Sequence, residues 1–144
     1  MKKLTIIEII AYLYIILFLY TGISKMIEYT LFKEQIAASP ILAFSAPLVA
    51  RVLPIIEIAL AIILFLPSWR KIGLIFSLVL VTIFTIYISL ILMVDKQIPC
   101  SCGGVIELLS WKQHLVFNFA LITMAIVAII LENKITQLNR LLNL

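Results

Sequence analysis

One run of the sequence, from Ile72 to Val94, contains no charged residue, and this run most constrains the fold. As an α-helix with a rise of 1.5 Å per residue it is about 33 Å long, which matches the hydrocarbon thickness of a bilayer. Soluble domains seldom bury an uninterrupted apolar run of that length. The run therefore predicts a transmembrane helix.

Three further runs are long and apolar enough to cross a bilayer. They extend from about Leu4 to Ile23, from about Leu48 to Leu66, and from about Trp111 to Leu131. We therefore expect an all-α integral membrane protein built as a four-helix bundle. The ionisable residues inside these three runs are Glu8, Arg51, Glu57, Lys112 and His114.

The amino-acid composition also indicates a membrane protein. Of its 144 residues, 65% are hydrophobic and 12% are charged. A soluble domain carries about 45–50% apolar and about 25% charged residues, so this chain has too few charges to cover a water-facing surface. Its net charge of +4 comes mostly from residues that flank the apolar runs. That distribution suits anionic lipid headgroups, and no basic stripe with interleaved aromatics predicts a nucleic-acid partner.

The basic start at Lys2 and Lys3 resembles a signal peptide, but Glu8 interrupts the apolar run and no clear cleavage site follows, so we expect a retained helix. The positive-inside rule favours both termini in the cytoplasm, with six of the 11 Lys and Arg residues on that side. We expect a multi-pass protein of the bacterial inner membrane. The 24–50 and 95–110 connections would then face outward, toward the periplasm.

Two segments outside the spans have helical apolar spacing. Phe32 and Ile36 lie one turn apart with charged residues between them, which predicts a short amphipathic helix on the membrane surface between the first two spans. Residues 132–144 show the same spacing and predict an amphipathic cytoplasmic tail or a partner contact. The chain would then consist of a transmembrane domain over residues 1–131 and this tail.

The only two cysteines, Cys100 and Cys102, lie in the 95–110 connection and are followed by Gly103 and Gly104. Two thiols this close pair readily in an oxidising compartment. The ring that such a disulfide closes is very small, which strains the bond and makes it easier to reduce. A structural bridge stabilises mainly by closing a long loop, and this one closes almost none. We therefore interpret the pair as a redox-active dithiol, with the glycines permitting a tight turn and close approach by a partner.

Two other interpretations of the cysteines remain open. Cys100 and Cys102 could hold a soft ion such as Cu(I) or Zn²⁺ with His114 and Glu107, or they could simply shape a turn. His114 is the only histidine, and it could exchange a proton with a cysteine sulfur or serve as an interfacial polar residue. Asn118 lies one helical turn further on and could orient the imidazole ring.

Glu57 lies roughly nine residues into the second span, about 13 Å deep at helical rise. A carboxylate at that depth must be paired, protonated or turned toward a polar cavity. Lys25 at the end of the first span is the best candidate partner, with Arg51 next. A direct role in proton or quinone chemistry is the alternative. Hydroxyl residues form a stripe on the third span, which we assign to packing between helices: Thr82, Thr85 and Ser89.

The stretch Ile98 to Gly104 (IPCSCGG) resembles the MauE/DoxX-like redox-associated membrane proteins, in particular their Bacteroidetes-type members. The resemblance continues over nearly the whole chain, up to about Leu131. The other matching residues are Leu109, Trp111, His114, Leu115, Phe117, Asn118, Tyr20-x-Gly22-x-x-Lys25, Ser39-Pro40, Pro54-x-x-Glu57 and Phe84-Thr85-x-Tyr87-Ile88.

The resemblance implies a four-helix membrane domain tied to thiol redox chemistry outside the cytoplasm. MauE-like proteins are linked to disulfide formation in partner proteins, and DoxX-like proteins to quinone-connected sulfur oxidation. Disulfide-generating membrane enzymes, including the similar vitamin K epoxide reductase type, generally relay electrons through two cysteine pairs, and this chain has one. Its pair must meet both donor and acceptor, borrow a partner's cysteines, or leave the cycle incomplete.

The sequence therefore predicts that Cys100 and Cys102 exchange a disulfide with a periplasmic thiol protein, with His114 as the acid–base group. Glu57 and Lys25 would form a buried polar pair. A quinone could bind between the helices beneath the cysteines, although no motif indicates one. The alternative function is that of a non-catalytic subunit or assembly factor of a larger membrane complex.

Overall fold

The structure, a computed structural model, describes residues 2–94 and 111–142. Nearly all of these residues are helical and none of them forms a strand, which confirms the all-α fold. Four of the five α-helices (α1, α3, α4 and α5) are long and apolar enough to cross a membrane. The helices are α1 (Lys2–Ile27), α2 (Tyr29–Ala37), α3 (Ala46–Phe65), α4 (Arg70–Val94) and α5 (Trp111–Leu142), and a 3-10 turn (Ala43–Ser45) precedes α3.

The four long helices pack as a bundle in which α1 lies mainly against α3 and α4 mainly against α5. Contacts between α3 and α4 and between α1 and α5 close the ring. Tyr14 is fully buried at its centre, and its hydroxyl donates a hydrogen bond to the backbone carbonyl of Leu121, 2.8 Å away. The outward faces stay apolar, as a lipid-facing surface requires. Examples of exposed side chains there are Ile16, Ile62, Ile83 and Val116.

Helix α2 is the amphipathic segment that the sequence predicts between the first two spans. It turns Phe32 and Ile36 inward, where they pack against Ala46 and Ala50 at the start of α3. Its charged residues lie on the opposite, exposed face. A helix of nine residues is too short to be stable alone in water, so this packing is what holds α2 in place.

The helices extend beyond the runs predicted from hydropathy. The first helix reaches Ile27 rather than Ile23. Helix α5 continues without a break through residues 132–142, for which the sequence predicts a separate tail. Apolar content marks only the part of a helix that lies in lipid. Good helix formers such as Leu, Glu, Lys and Gln keep the backbone helical after that content falls.

The hydroxyl stripe on α4 lies beside Phe119 and Ile122 of α5, and its hydrogen bonds stay within α4. The hydroxyls of Thr82, Thr85 and Ser89 each donate to the backbone carbonyl four residues earlier in α4, at 2.7 Å. A side-chain hydroxyl in lipid has no water to bond, so it returns to its own backbone. The hydroxyl hydrogens are therefore satisfied within α4.

Candidate functional site

A buried ion pair lies between α1 and α3, near the end of the bundle at which α5 begins. The ammonium of Lys25 donates to Oε1 of Glu57 at 2.6 Å. The two residues are only 4% and 2% exposed. Lys25 comes from the last turn of α1, and Glu57 faces it from the middle of α3. Arg51, the other candidate partner, is exposed.

Two aromatic rings enclose the ammonium of Lys25. Its Nζ lies 5.6 Å from the ring centroid of Phe32 on α2 and 5.9 Å from that of Phe84 on α4. Both distances allow attraction between the cation and the negative face of a ring. Residues from three other helices, α2, α3 and α4, therefore surround Lys25, and the rings keep water from its charge.

A cavity of about 60 Å³ adjoins the ion pair. Helix α5 contributes His114 and Asn118, which lie one turn apart and are each 5% exposed. Thr21 of α1 also lines the cavity, and its hydroxyl donates to the backbone carbonyl of Leu17 at 2.9 Å. The rest of the lining is apolar and includes Phe18, Val81, Phe84, Phe117 and Leu121.

Two polar atoms at this cavity lack a hydrogen-bond partner among the described residues. One is Oε2 of Glu57, an acceptor, and the other is Nδ2 of Asn118, a donor. A buried polar atom left without a partner costs about 1–3 kcal/mol, so native proteins normally satisfy such atoms with water or a ligand. A cavity of this size has room for a few water-sized groups. Both atoms are themselves buried from solvent, so the cavity does not reach them in this structure.

The structure brings four of the sequence-predicted residues into one place. Lys25 and Glu57 form the ion pair, and His114 and Asn118 line the same cavity from the opposite side of the bundle. An imidazole, an ion pair and an amide therefore lie together in a largely apolar interior. That combination is typical of functional sites in membrane proteins.

The predicted cysteine motif lies outside the described residues. Cys100, Cys102, Gly103 and Gly104 all fall in the 95–110 connection, so their distance from His114 stays a prediction. The alternative metal site depends on the same thiols. Within the described ranges, no group of three or more His, Cys, Asp or Glu side chains is placed to hold a metal ion.

Sequence reasoning missed three residues of the site. Thr21 could have been found, since it lies one turn before Lys25 on the same face of α1. Phe84 belongs to a stretch that resembles the family, and Phe32 to the predicted amphipathic helix, but neither pattern indicates a contact with Lys25. Their place beside Lys25 depends on how α2 and α4 turn toward α1, and apolar sequence leaves that rotation open.

Comparison with known families gives a match over most of the chain. The family model described as Methylamine utilisation protein MauE matches residues 3–131, which include every residue of the site described above. The predicted relation to MauE-like proteins is therefore confirmed, and the relation to DoxX-like proteins stays a prediction. No curated protein matches the chain. No solved structure matches it either.

Proposed function

The chain belongs to the MauE family of multi-pass membrane proteins, and from that premise we propose that it exchanges a disulfide with a partner protein through Cys100 and Cys102. The exchange would take place at the outward face of the membrane, where an oxidising compartment favours disulfides. The family description associates MauE with methylamine utilisation. For this chain the corresponding proposal is a redox role that serves a periplasmic thiol protein.

One observation carries the proposal. The buried polar cavity lies near the end of the bundle at which α5 begins, and the 95–110 connection that contains both cysteines joins α5 at Trp111. His114 follows within the first turn of α5 and faces the cavity. This placement supports His114 as the acid–base group for a nearby thiol, because a general acid or base must lie within reach of the proton that it transfers.

The exchange proceeds in two steps that conserve electrons and protons. A thiolate of the partner attacks the sulfur of Cys100, forms a mixed disulfide and releases Cys102 as a thiolate, which takes up a proton. The partner's second thiol then attacks its own mixed-disulfide sulfur and releases Cys100. The partner dithiol has become a disulfide, and two electrons and two protons have moved to the cysteine pair. His114 would hold one of these protons between the steps.

A quinone is the acceptor that the family resemblance suggests for the reduced pair, but its ring does not fit the cavity. A cavity that admits a six-membered ring such as benzene measures about 150 Å³. The space beside Glu57 measures about 60 Å³. We therefore derive no step through a quinone at this position.

Single cysteine substitutions test the exchange in intact cells. Cys102→Ser leaves Cys100 as a lone thiol, which can attack the disulfide of the oxidised partner in the reverse direction of the exchange and release one partner thiolate. Without Cys102 to resolve it, the resulting mixed disulfide should accumulate and be identifiable by mass spectrometry after acid quenching. Cys100→Ser should trap less if Cys100 is the sulfur that the partner meets. The double serine variant is the matched control and should trap nothing.

The proposal fails if neither single variant traps a partner and the double variant grows normally under thiol stress. Co-purification of a fixed partner with the double serine variant, at wild-type yield, would instead favour the subunit or assembly role. His114→Gln supplies a second readout. It should slow formation of the mixed disulfide near neutral pH while leaving the identity of the trapped partner unchanged.

A further inference from the structure

An exposed cation lies on the outward face of α3, among apolar side chains. Arg51 is the sixth residue of that helix, about 8 Å along the axis from its start at Ala46. The exposed side chains around it are apolar: Leu48, Val52 and Ile55. Among the described residues, the Arg51 side chain forms neither an ion pair nor a hydrogen bond. A guanidinium keeps its proton in proteins, so its charge within a membrane span needs a partner from outside the chain.

A pocket of about 300 Å³ opens beside Arg51, where the end of α1, the start of α2 and the first half of α3 meet. Tyr29 of α2 lines this pocket together with Arg51. It is half-buried, and its hydroxyl makes no hydrogen bond to another described residue. The other lining residues are apolar: Met26, Ala50, Pro54 and Ile55. The pocket therefore combines an exposed cation and a phenol with an apolar wall.

The position of the pocket matches the level of the lipid headgroups. Side chains of an α-helix tilt toward its N-terminus, so Arg51 leans toward the start of α3. The amphipathic helix α2 packs against that same start. A long cationic side chain near the end of a span extends its charged group to the membrane interface, where the phosphates of the lipids lie. The Arg51 guanidinium can therefore reach a phosphate without leaving the pocket.

The chemistry of the pocket favours the phosphate of a lipid. The planar guanidinium of Arg51 presents paired N–H donors that match two phosphate oxygens, and the phenol of Tyr29 can supply a third donor. None of the described lining residues is acidic. A free phosphate ion would gain nothing from the apolar wall, whereas a glycerolipid buries apolar surface there. We propose that the pocket binds a bilayer phospholipid, with its phosphate at Arg51 and Tyr29 and the start of an acyl chain against Met26 and Ile55.

Native mass spectrometry of the full-length protein tests this site. After delipidation in detergent, dioleoylphosphatidylethanolamine or dioleoylphosphatidylglycerol is added back, and the fraction of protein with one bound lipid is measured against lipid concentration. Both lipids should bind. Dioleoylglycerol has the same chains but no phosphate, and it should bind about tenfold more weakly because the charge-assisted hydrogen bonds are lost. Glycerol 3-phosphate, which has no acyl chain, should not displace the bound lipid.

Matched variants test the two polar contacts. Arg51→Met should weaken phospholipid binding about tenfold. Lys33→Met is its control, because it also removes an exposed cation, from a position on α2 outside the pocket, and it should leave binding unchanged. Arg51→Lys keeps the charge without the forked donors, so its loss should be intermediate. Tyr29→Phe removes one hydroxyl and should weaken binding about threefold.

A further pair of variants tests the apolar wall. Ile55→Trp should fill the pocket and reduce phospholipid binding. Ile62→Trp is its control, since Ile62 has nearly the same exposure, 58% against 57%, and lies two turns further along α3, outside the pocket. Helical content by circular dichroism shows that each variant is folded.

Four results would overturn the proposal. Equal binding of dioleoylglycerol and the phospholipids would mean that phosphate is not recognised. Equal losses from Arg51→Met and Lys33→Met would reduce the effect to general surface charge. Displacement of the lipid by glycerol 3-phosphate would assign the pocket to a soluble phosphate ester, and unchanged binding by Ile55→Trp would place the lipid elsewhere on the bundle.

Discussion

The ion pair between Lys25 and Glu57 is a buried contact that is costly to break. Both charges have left water, and their attraction repays that transfer only while both are present. Removing one partner leaves the other as an uncompensated charge among apolar side chains. The distance of 2.6 Å between Nζ and Oε1 indicates a direct, charge-assisted hydrogen bond.

Substitutions at these two residues should therefore be strongly coupled. Glu57→Gln leaves a buried ammonium without its counter-ion and should lower the free energy of unfolding by about 3–5 kcal/mol. Lys25→Met should cost a similar amount, because it strands the carboxylate. The double variant should recover part of the loss, as measured by denaturant titration of the purified protein in detergent.

The double-variant cycle can also disprove the expected coupling between Lys25 and Glu57. If the losses from Glu57→Gln and Lys25→Met simply added, the two residues would not interact energetically despite their distance. Arg51→Met is the control, because Arg51 is an exposed cation on the same helix as Glu57. Its loss should be small and should add to that of Glu57→Gln.

How far the sequence predicts the site depends on the kind of residue. Lys25 and Glu57 could be paired in advance because each is an ionisable side chain that lipid cannot solvate. His114 and Asn118 share a helix face by spacing alone. The rings around Lys25 could not be predicted, since hydrophobic packing against lipid-like neighbours distinguishes one apolar face from another only weakly.

At the scale of the helices, α1 and α3 approach each other closely at Gly22. A Cβ atom there would lie 3.2 Å from the backbone carbonyl oxygen of Pro54 and 3.1 Å from Cγ1 of Ile58. A backbone oxygen cannot move aside as a side-chain end can. The absence of a side chain at Gly22 therefore lets α1 reach the part of α3 that carries Glu57.

Gly22→Ala should accordingly destabilise the bundle even though alanine favours a helix. The gain in helix propensity is about 1 kcal/mol, and overpacking a close contact costs about 1–3 kcal/mol. We expect a net loss of about 1 kcal/mol, measured as a lower thermal midpoint in detergent. Ile23→Ala is the neighbouring control, since Ile23 lies on the exposed face of α1 and is 48% exposed. An unchanged or higher midpoint for Gly22→Ala would show that the helices can separate without cost.

The number and order of the helices were predictable, but their ends were not. A membrane span consists mostly of side chains that are soluble in lipid, so its apolar composition is enough to predict it. The ends depend on backbone hydrogen bonds, which persist wherever helix-forming residues continue. This is why α5 extends to Leu142, well past the last strongly apolar stretch.

At the scale of the whole molecule, the expected orientation places both termini in the cytoplasm. The Cys100→Ser, Cys102→Ser chain contains no cysteine, so single cysteines introduced into it report topology without background. A membrane-impermeant maleimide should label Ser101→Cys in intact spheroplasts. It should label Ser68→Cys only after the membrane is permeabilised.

Ser68 is preferred to its neighbour Arg70 because Ser68 is exposed, whereas Arg70 is 9% exposed and lies 3.8 Å from Glu8. Labelling of Ser68→Cys from outside would reverse the orientation. It would place the cysteine pair in the reducing cytoplasm, where a stable disulfide is not expected. The proposed exchange would then lose its compartment.

The position of α2 determines how easily water can reach the buried ion pair. The ring of Phe32, on a helix of nine residues, covers one side of the Lys25 ammonium, and that helix is held mainly by packing against the start of α3. Short helices held by few contacts open first in native-state fluctuations. Hydration of the ion pair should therefore begin at the membrane surface, by lifting of α2, before any membrane-spanning helix moves. The composition of the surrounding lipid headgroups would then govern how often the buried charges meet solvent.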